Sequence, residues 1–208
     1  MSLLTQWGYT LTELDTLPDM LTDEEFDEFT ANRYAGDVRI ANNIKAACSA
    51  IRNHVGWHLY PSAACEATML MNDRRVTRVG CDLLIQLPAA FVTEVSSVTI
   101  DGADCSTFSF ETNGILMIYD VSFINLYRYT PIVVAYTAGI STEMMDSIRE
   151  LAAHQVTHAI AVPSGITSEA AGGVSVTYNA AWVNSTRATD LSASNKEVLS
   201  PYRLQGVF

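Results

Sequence analysis

The stretch Pro131-Ile-Val-Val-Ala-Tyr-Thr-Ala-Gly139 opens a passage, running to Tyr178, that decides the architecture. A run of apolar and β-branched residues ending in Thr-Ala-Gly predicts a buried strand with a sharp stop. An amphipathic helix of roughly five turns follows, predicted over about Thr142–Val162 and stopped by Pro163-Ser164-Gly165. Its apolar face holds Met144, Met145, Ile148, Leu151, Ala152, Val156 and Ala159, and Ser141 or Thr142 can cap it. Beyond it, Ser168-Glu-Ala-Ala-Gly-Gly-Val-Ser-Val-Thr-Tyr178 completes a Gly-rich linker and a short strand. Nothing in the passage is a nucleophile motif, a phosphate loop or an H-E-x-x-H metal motif. It reads as a scaffold for packing against copies of the same chain.

Upstream of Pro131 the hydrophobic period is two. Turn signals at Asn72-Asp73, Asp101-Gly102 and Asn113-Gly114 separate T-M-L-M, L-L-I-Q-L, V-S-S-V-T-I, F-S-F and I-L-M-I-Y, with I-V-V-A-Y closing the series. This predicts a five- to seven-stranded antiparallel insertion over about residues 65–138, a small sheet or sandwich. Before it the period is helical. Leu21-Thr-Asp-Glu-Glu25-Phe26 is a capping box with a hydrophobic staple, opening a helix to about Ala31 that should bury Phe26 and Phe29. A second helix, about Asp37–Val55, places Ile40, Ile44, Ala47, Cys48, Ile51 and Val55 on one face, with Gly56 as its stop. Trp57-His-Leu-Tyr-Pro61 should fold its aromatics under that helix end. A fourth, short helix is predicted from the capping box Ser194–Glu197, ended by Pro201. The fold class is therefore α+β: a helical core of about four helices, with the β insertion between the second and third.

The 208 residues fit one domain, or one carrying a large insertion. At 49% hydrophobic and 17% charged, with mean hydropathy +0.14, the chain has apolar surface to spare for interfaces. No apolar run approaches bilayer length, and the start lacks the basic region of a secretory leader. Cys48, Cys65, Cys81 and Cys105 form no C-x-x-C pair and are read as reduced thiols, so Asn184-Ser-Thr186 is read as a chance sequon. The net charge is −11, and residues 1–32 hold no Lys or Arg. Such a chain does not grip nucleic acid, because that grip comes from cations displacing counterions. The acidic start is either a solvated tail or a wall along which DNA slides.

Candidate chemistry is thin. Glu150, His154 and His158 fall one turn apart on the polar face of the third helix, a stripe that could hold a divalent metal in a hydrolase. No H-E-x-x-H accompanies it, and Gly56 separates His54 from His58. Ser164-Gly165 follows a helix where a nucleophile elbow would follow a strand. Gly172 and Gly173 lack the Lys of a phosphate cradle and are read as a turn that lets Val174, Val176 and Tyr178 reverse onto the helix or reach a neighbouring subunit. Tyr127, Tyr129 and Tyr136 follow strand spacing and are read as core or interface.

An ordered set of motifs remains: an acidic helix, I-R-N-H-V-G-W-H-L-Y-P, L-P-A-x-x-V-x-x-V-x-S-V, Y-T-A-G, an amphipathic helix, S-E-A-A-G-G-V-S-V-T-Y and E-V-L-S-P-Y-R-L. The set resembles the head–tail connector (adaptor, or head-completion) proteins of long-tailed bacteriophages and gene transfer agents, over most of residues 20–206. The resemblance implies a ring, usually dodecameric, in the virion neck beneath the portal. Such a ring extends the DNA channel and carries the next neck, stopper or tail protein. It implies neither catalysis, cofactor nor membrane, and a host-cytoplasmic subunit before assembly. Residues 1–21 would be an acidic extension and 22–208 the connector domain. A docking tail at about 200–208 would offer Pro201, Tyr202, Arg203 and Leu204 to the portal, extended by Val207 and Phe208. The acidic extension and the β insertion both depart from the smaller, nearly all-helical members. The competing reading is a stopper or tail terminator.

Overall fold

The computed structural model describes residues 2–121, 127–161, 168–171, 174–177 and 188–204, the two four-residue pieces by backbone alone. The chain divides into two units, one built from residues 1–18, 56–141 and 202–208, the other from 19–55 and 142–201.

The first unit is β. Its strands are β1 (Leu3–Leu4), β2 (Tyr9–Leu11), β3 (Ala63–Leu70), β4 (Val76–Val79), β5 (Asp82–Gln86), β6 (Val92–Ile100), β7 (Ala103–Asp104), β8 (Phe108–Phe110), β9 (Ile115–Ile118) and β10 (Pro131–Ala138). They form antiparallel sheets ordered β1-β2-β3-β10-β6-β7 and β4-β5-β9-β8. The apolar run before Gly139 is β10, a central strand with Ile132, Val134, Tyr136 and Ala138 buried in strict alternation. The insertion holds eight strands where five to seven were expected. The additions are the polar edge strand β4 and the two-residue β7, neither of which has an alternating pattern to announce it.

Strand β6 shows how partner geometry reshapes a local pattern. Only Val98 and Ile100 keep the ordinary spacing of two, while Val92, Val95 and Val98 are buried three apart, a spacing no regular strand produces. Two register shifts against β10 account for it: Val98, Val95 and Val92 face Val134, Tyr136 and Ala138, so Ser96 and Thr93 are extra residues. The hydroxyls of these two bulged residues donate to the Ala135 and Thr137 carbonyls at 3.1 and 3.4 Å. At the β6–β7 hairpin, Asp101 and Gly102 both take positive φ, +53° and +78°, as a type I′ turn requires. The acidic start contributes structure as well: β2 pairs with β3 and buries Tyr9 and Leu11.

The second unit holds α1 (Asp23–Phe29), α2 (Ile40–Val55), α3 (Asp146–Ala161), the hairpin β11 (Ser168–Ala171) with β12 (Val174–Thr177), and α4 (Ala193–Leu199). The molecule is thus α+β, its β insertion lying between α2 and α3 in sequence. The capping box forms as read: the Glu25 N–H donates to Thr22 Oγ1, and the Thr22 N–H to Glu25 Oε2. Such a cap contributes about 1 kcal/mol. Leu21 and Phe26 are both buried, as a staple demands.

Four local expectations change. Phe29 is 44% exposed, because α1 ends there and its inward side is already filled by Phe26. The segment Asp37–Arg39 stays outside α2, with Arg39 folded onto the Asp37 carboxylate at 2.7 Å. The side-chain hydrogen bond from Arg39 leads in holding that carboxyl at about 2. Thr142–Met144 is a separate 3-10 turn ahead of α3, and it leaves Met144 outward while Met145 turns in. The cap of α4 is Ser192, whose hydroxyl accepts from the Asn195 N–H at 3.1 Å, so Ser194 lies inside the helix and cannot cap it. Among the described residues no helix is long and apolar enough to cross a membrane.

Candidate functional site

The carboxy-terminal segment is built on the turn that follows α2. Gly56 takes φ +85°, ending the helix, and the chain then buries Trp57, His58 and Leu59 completely. The Trp57 indole N–H donates to the Tyr202 carbonyl at 2.8 Å. The Trp57 ring stacks on Phe91, with centroids 6.0 Å apart and planes at 14°, and Phe91 stacks on Tyr202 at 5.7 Å and 23°. Three rings, Trp57, Phe91 and Tyr202, therefore form one column. Tyr202 is half-buried at its end, Leu204 is half-buried, and Pro201 and Arg203 are exposed. Of the tail candidates, Tyr202 is thus spent on its own chain, while Val207 and Phe208 lie outside the described residues.

His58 fixes the base of this column. Its Nε2 faces the carbonyls of Pro61 and Ala138 at 3.0 and 3.1 Å, so that nitrogen carries the hydrogen. Its Nδ1 then accepts from the Tyr9 hydroxyl at 2.6 Å, whose oxygen accepts the His58 backbone N–H at 3.0 Å. A buried imidazole with both nitrogens engaged by carbonyl and hydroxyl is structural, and it is unsuited to ligate a metal.

On α3, the Glu150–His154–His158 stripe lines a groove of about 620 Å3 together with Leu151, Gln155, Asp190, Ser192, Asn195 and Val198. His154 Nε2 stands 3.8 Å from Glu150 Oε1, and the Phe29 ring meets the His154 imidazole edge-on at 5.2 Å. Partial burial is the main cause lowering the His158 pKa, and the His154 charge lowers it further. Among the described residues no three His, Cys, Asp or Glu side chains are gathered so as to hold a metal ion. The lowered His158 pKa has a consequence for stability. Above the ordinary value of 6.5 folded and unfolded chains both keep His158 neutral, and stability is full. Below it the unfolded chain takes up the proton first, so stability falls with pH until the folded group titrates too. Wild type should therefore lose more of its urea midpoint between about pH 7 and pH 5 than His158→Gln does.

Gly172, Gly173 and Tyr178 lie outside the described residues. Val174 and Val176 stand on β12, opposite Ala171 and Glu169. Among the described strands, the β11–β12 hairpin pairs with no other. Tyr136 is core, whereas Tyr127 and Tyr129 precede β10 and are 71% and 69% exposed, which leaves them outside the core. All four cysteines are free thiols, Cys48 and Cys65 buried and Cys81 exposed.

No family model matches the chain, and no curated protein matches it. Among solved structures, the chain is similar to one from a structure described as the neck of an empty GTA particle computed with C6 symmetry. The two are 17% identical over 95% of this chain and 97% of that one, with a TM-score of 0.48. At that distance, function has to be read from this chain's own residues.

Proposed function

We propose that this chain is a structural subunit of a ring-shaped head–tail connector, located in the virion neck under the portal. The ordered motifs of the sequence support this reading. The observation that carries it is the β11–β12 hairpin, two four-residue strands with no described strand on either edge. An isolated two-stranded hairpin is marginal in water and gains its stability from a surface to lie against. A neighbouring subunit supplies one. Val38, 91% exposed, adds apolar surface of the kind that assembly covers. In the assembled ring, usually twelve subunits, the net acidic charge lets DNA pass without being held. The opposite face of the ring would carry the next neck or tail protein.

Portal contact falls to Pro201, Arg203 and Leu204 with the residues after them, while Tyr202 anchors the segment. The test is therefore a truncation that keeps Tyr202. Deleting residues 203–208 removes half-buried Leu204, so it should lower the thermal transition by only about 2–4 °C, and it should abolish co-sedimentation with the cognate portal. A truncated chain that still binds the portal would refute portal docking through this tail and favour the stopper or tail-terminator reading.

A further inference from the structure

We infer that the turn Tyr127–Thr130 is a preformed plug that seats in the groove between α1 and α3 of a second copy of this chain. This names the subunit contact of the proposed ring, and it rests on that reading only for closure into a ring. The turn closes on itself: the Tyr127 N–H donates to Thr130 Oγ1 at 2.9 Å and the Thr130 N–H to the Tyr127 carbonyl at 3.0 Å. Its base is tied down, since Thr130 is buried, its carbonyl accepts the Met71 N–H at 3.1 Å, and β10 starts at the next residue. A turn ordered in advance loses little freedom on docking.

What this rigid turn presents is Tyr127, Arg128 and Tyr129. Both rings stand in solvent, and the Arg128 guanidinium lies 5.9 Å from the centre of the Tyr129 ring. Tyr and Arg are the side chains that most often carry interface energy, because each brings a large contact face together with a polar end. Among the described residues Arg128 makes no ion pair with a carboxylate.

The complement lies in the helical unit. A groove of about 300 Å3 is lined by Leu21, Glu25, Phe29, Asp146, Arg149 and Glu150. Phe29, the residue that α1 leaves outward, supplies the free apolar surface, and buried Leu21 lies beneath it at the edge of the core. Arg149 is already shared by Glu25 at 3.4 Å and Asp146 at 3.7 Å. Three carboxylates against one guanidinium leave the groove two charges negative. An incoming Arg128 meets that excess while a tyrosine ring covers Phe29. Plug and socket are different surfaces of one chain, so each copy can use both. That is the heterologous geometry from which rings close.

The test starts from a Cys81→Ser/Cys105→Ser background, which removes the accessible thiols. One population carries Tyr129→Cys and the other Phe29→Cys, so that any disulfide joining the two is intermolecular. Mixed under mild oxidation, alone and on portal, they should form a covalent heterodimer that Arg128→Glu suppresses. By sedimentation, Arg128→Glu should weaken self-association at least about tenfold, and Arg128→Glu/Glu150→Arg on one chain should restore it to within about threefold. No heterodimer, an unaffected Arg128→Glu variant, or a chain that stays monomeric in both settings overturns the contact. Assembly that persists without the cross-link refutes this contact and leaves the ring reading intact. A cross-link in a chain that never binds portal upholds the contact and removes the connector reading.

Discussion

Gly139→Ala is expected to cost the β unit about 3–5 kcal/mol, far more than an alanine at any exposed turn glycine. Two effects add. The residue sits at φ +131°, where L side chains are strained, and a Cβ there would run into the Pro61 carbonyl and the Ser62 Cα. Both obstacles are backbone, so neither can swing aside as a side-chain tip would. The neighbourhood is also tied: the Gly139 N–H donates to the Phe91 carbonyl at 3.3 Å and the Ile140 N–H to the Leu59 carbonyl at 2.9 Å. Shifting Gly139 to relieve the collision therefore pulls on the segments that carry Trp57, His58 and Phe91. Gly102 provides the control, since its φ of +78° is also positive but open space surrounds it. Gly102→Ala should cost only about 1 kcal/mol. Urea denaturation followed by circular dichroism measures both, and equal midpoints for the two variants would refute the backbone collision. With total stabilities of about 5–15 kcal/mol, the larger loss threatens folding altogether.

The Thr-Ala-Gly ending of β10 was readable as a stop because glycine after an apolar run is a local signal. What that glycine makes room for, the Pro61–Ser62 backbone, is nearly eighty residues away and leaves no mark on the local sequence. The same division holds elsewhere. The Thr22–Glu25 capping box was legible because all its bonds lie within one turn of helix. The hairpin dipeptide Asp101-Gly102 was legible because it answers to its own φ preferences. In contrast, the period-three valines of β6 make sense only beside β10, whose register creates the two bulges. The α4 cap illustrates a nearer ambiguity: Ser192 and Ser194 are chemically equal, and the placement of the following turn selected the first. Phe29 and Met144 fit an apolar helical stripe but fall where their helices end or begin, so periodicity assigned them inward and the chain turned them out. The β1–β2 pair in the acidic start was hidden because its two strands are shorter than any periodicity window.

The candidate site was only half legible for the same reason. The motif Pro201-Tyr-Arg-Leu204 could be located in the sequence. That Tyr202 is an anchor emerges from a hydrogen bond and a ring column reaching back 145 residues to Trp57. Trp57→Ala is expected to cost about 3–5 kcal/mol, as for any fully buried large aromatic, and to leave the Tyr202 carbonyl without its donor. Trp57→Phe weights the two roles differently, because it keeps a ring against Phe91 while deleting the indole N–H and a small part of the buried ring volume. The unmade hydrogen bond should cost about 1–2 kcal/mol and open the tail locally, while the small cavity adds about 1 kcal/mol to the global loss. Trypsin reports on that opening directly, since it cuts after Arg203, the residue next to the anchor. If the column holds the tail, cleavage there accelerates roughly 5–30-fold in Trp57→Phe, while the global transition moves by only a few degrees. Arg203 cleavage at the wild-type rate would show that Tyr202 holds the tail without the indole bond. The connector reading adds a second expectation. A tail released from its anchor must be ordered again on docking, so Trp57→Phe should also weaken portal binding, by no more than the same factor. Loss of the anchor with portal affinity unchanged would mean that the residues beyond Tyr202 dock without needing a fixed point of departure.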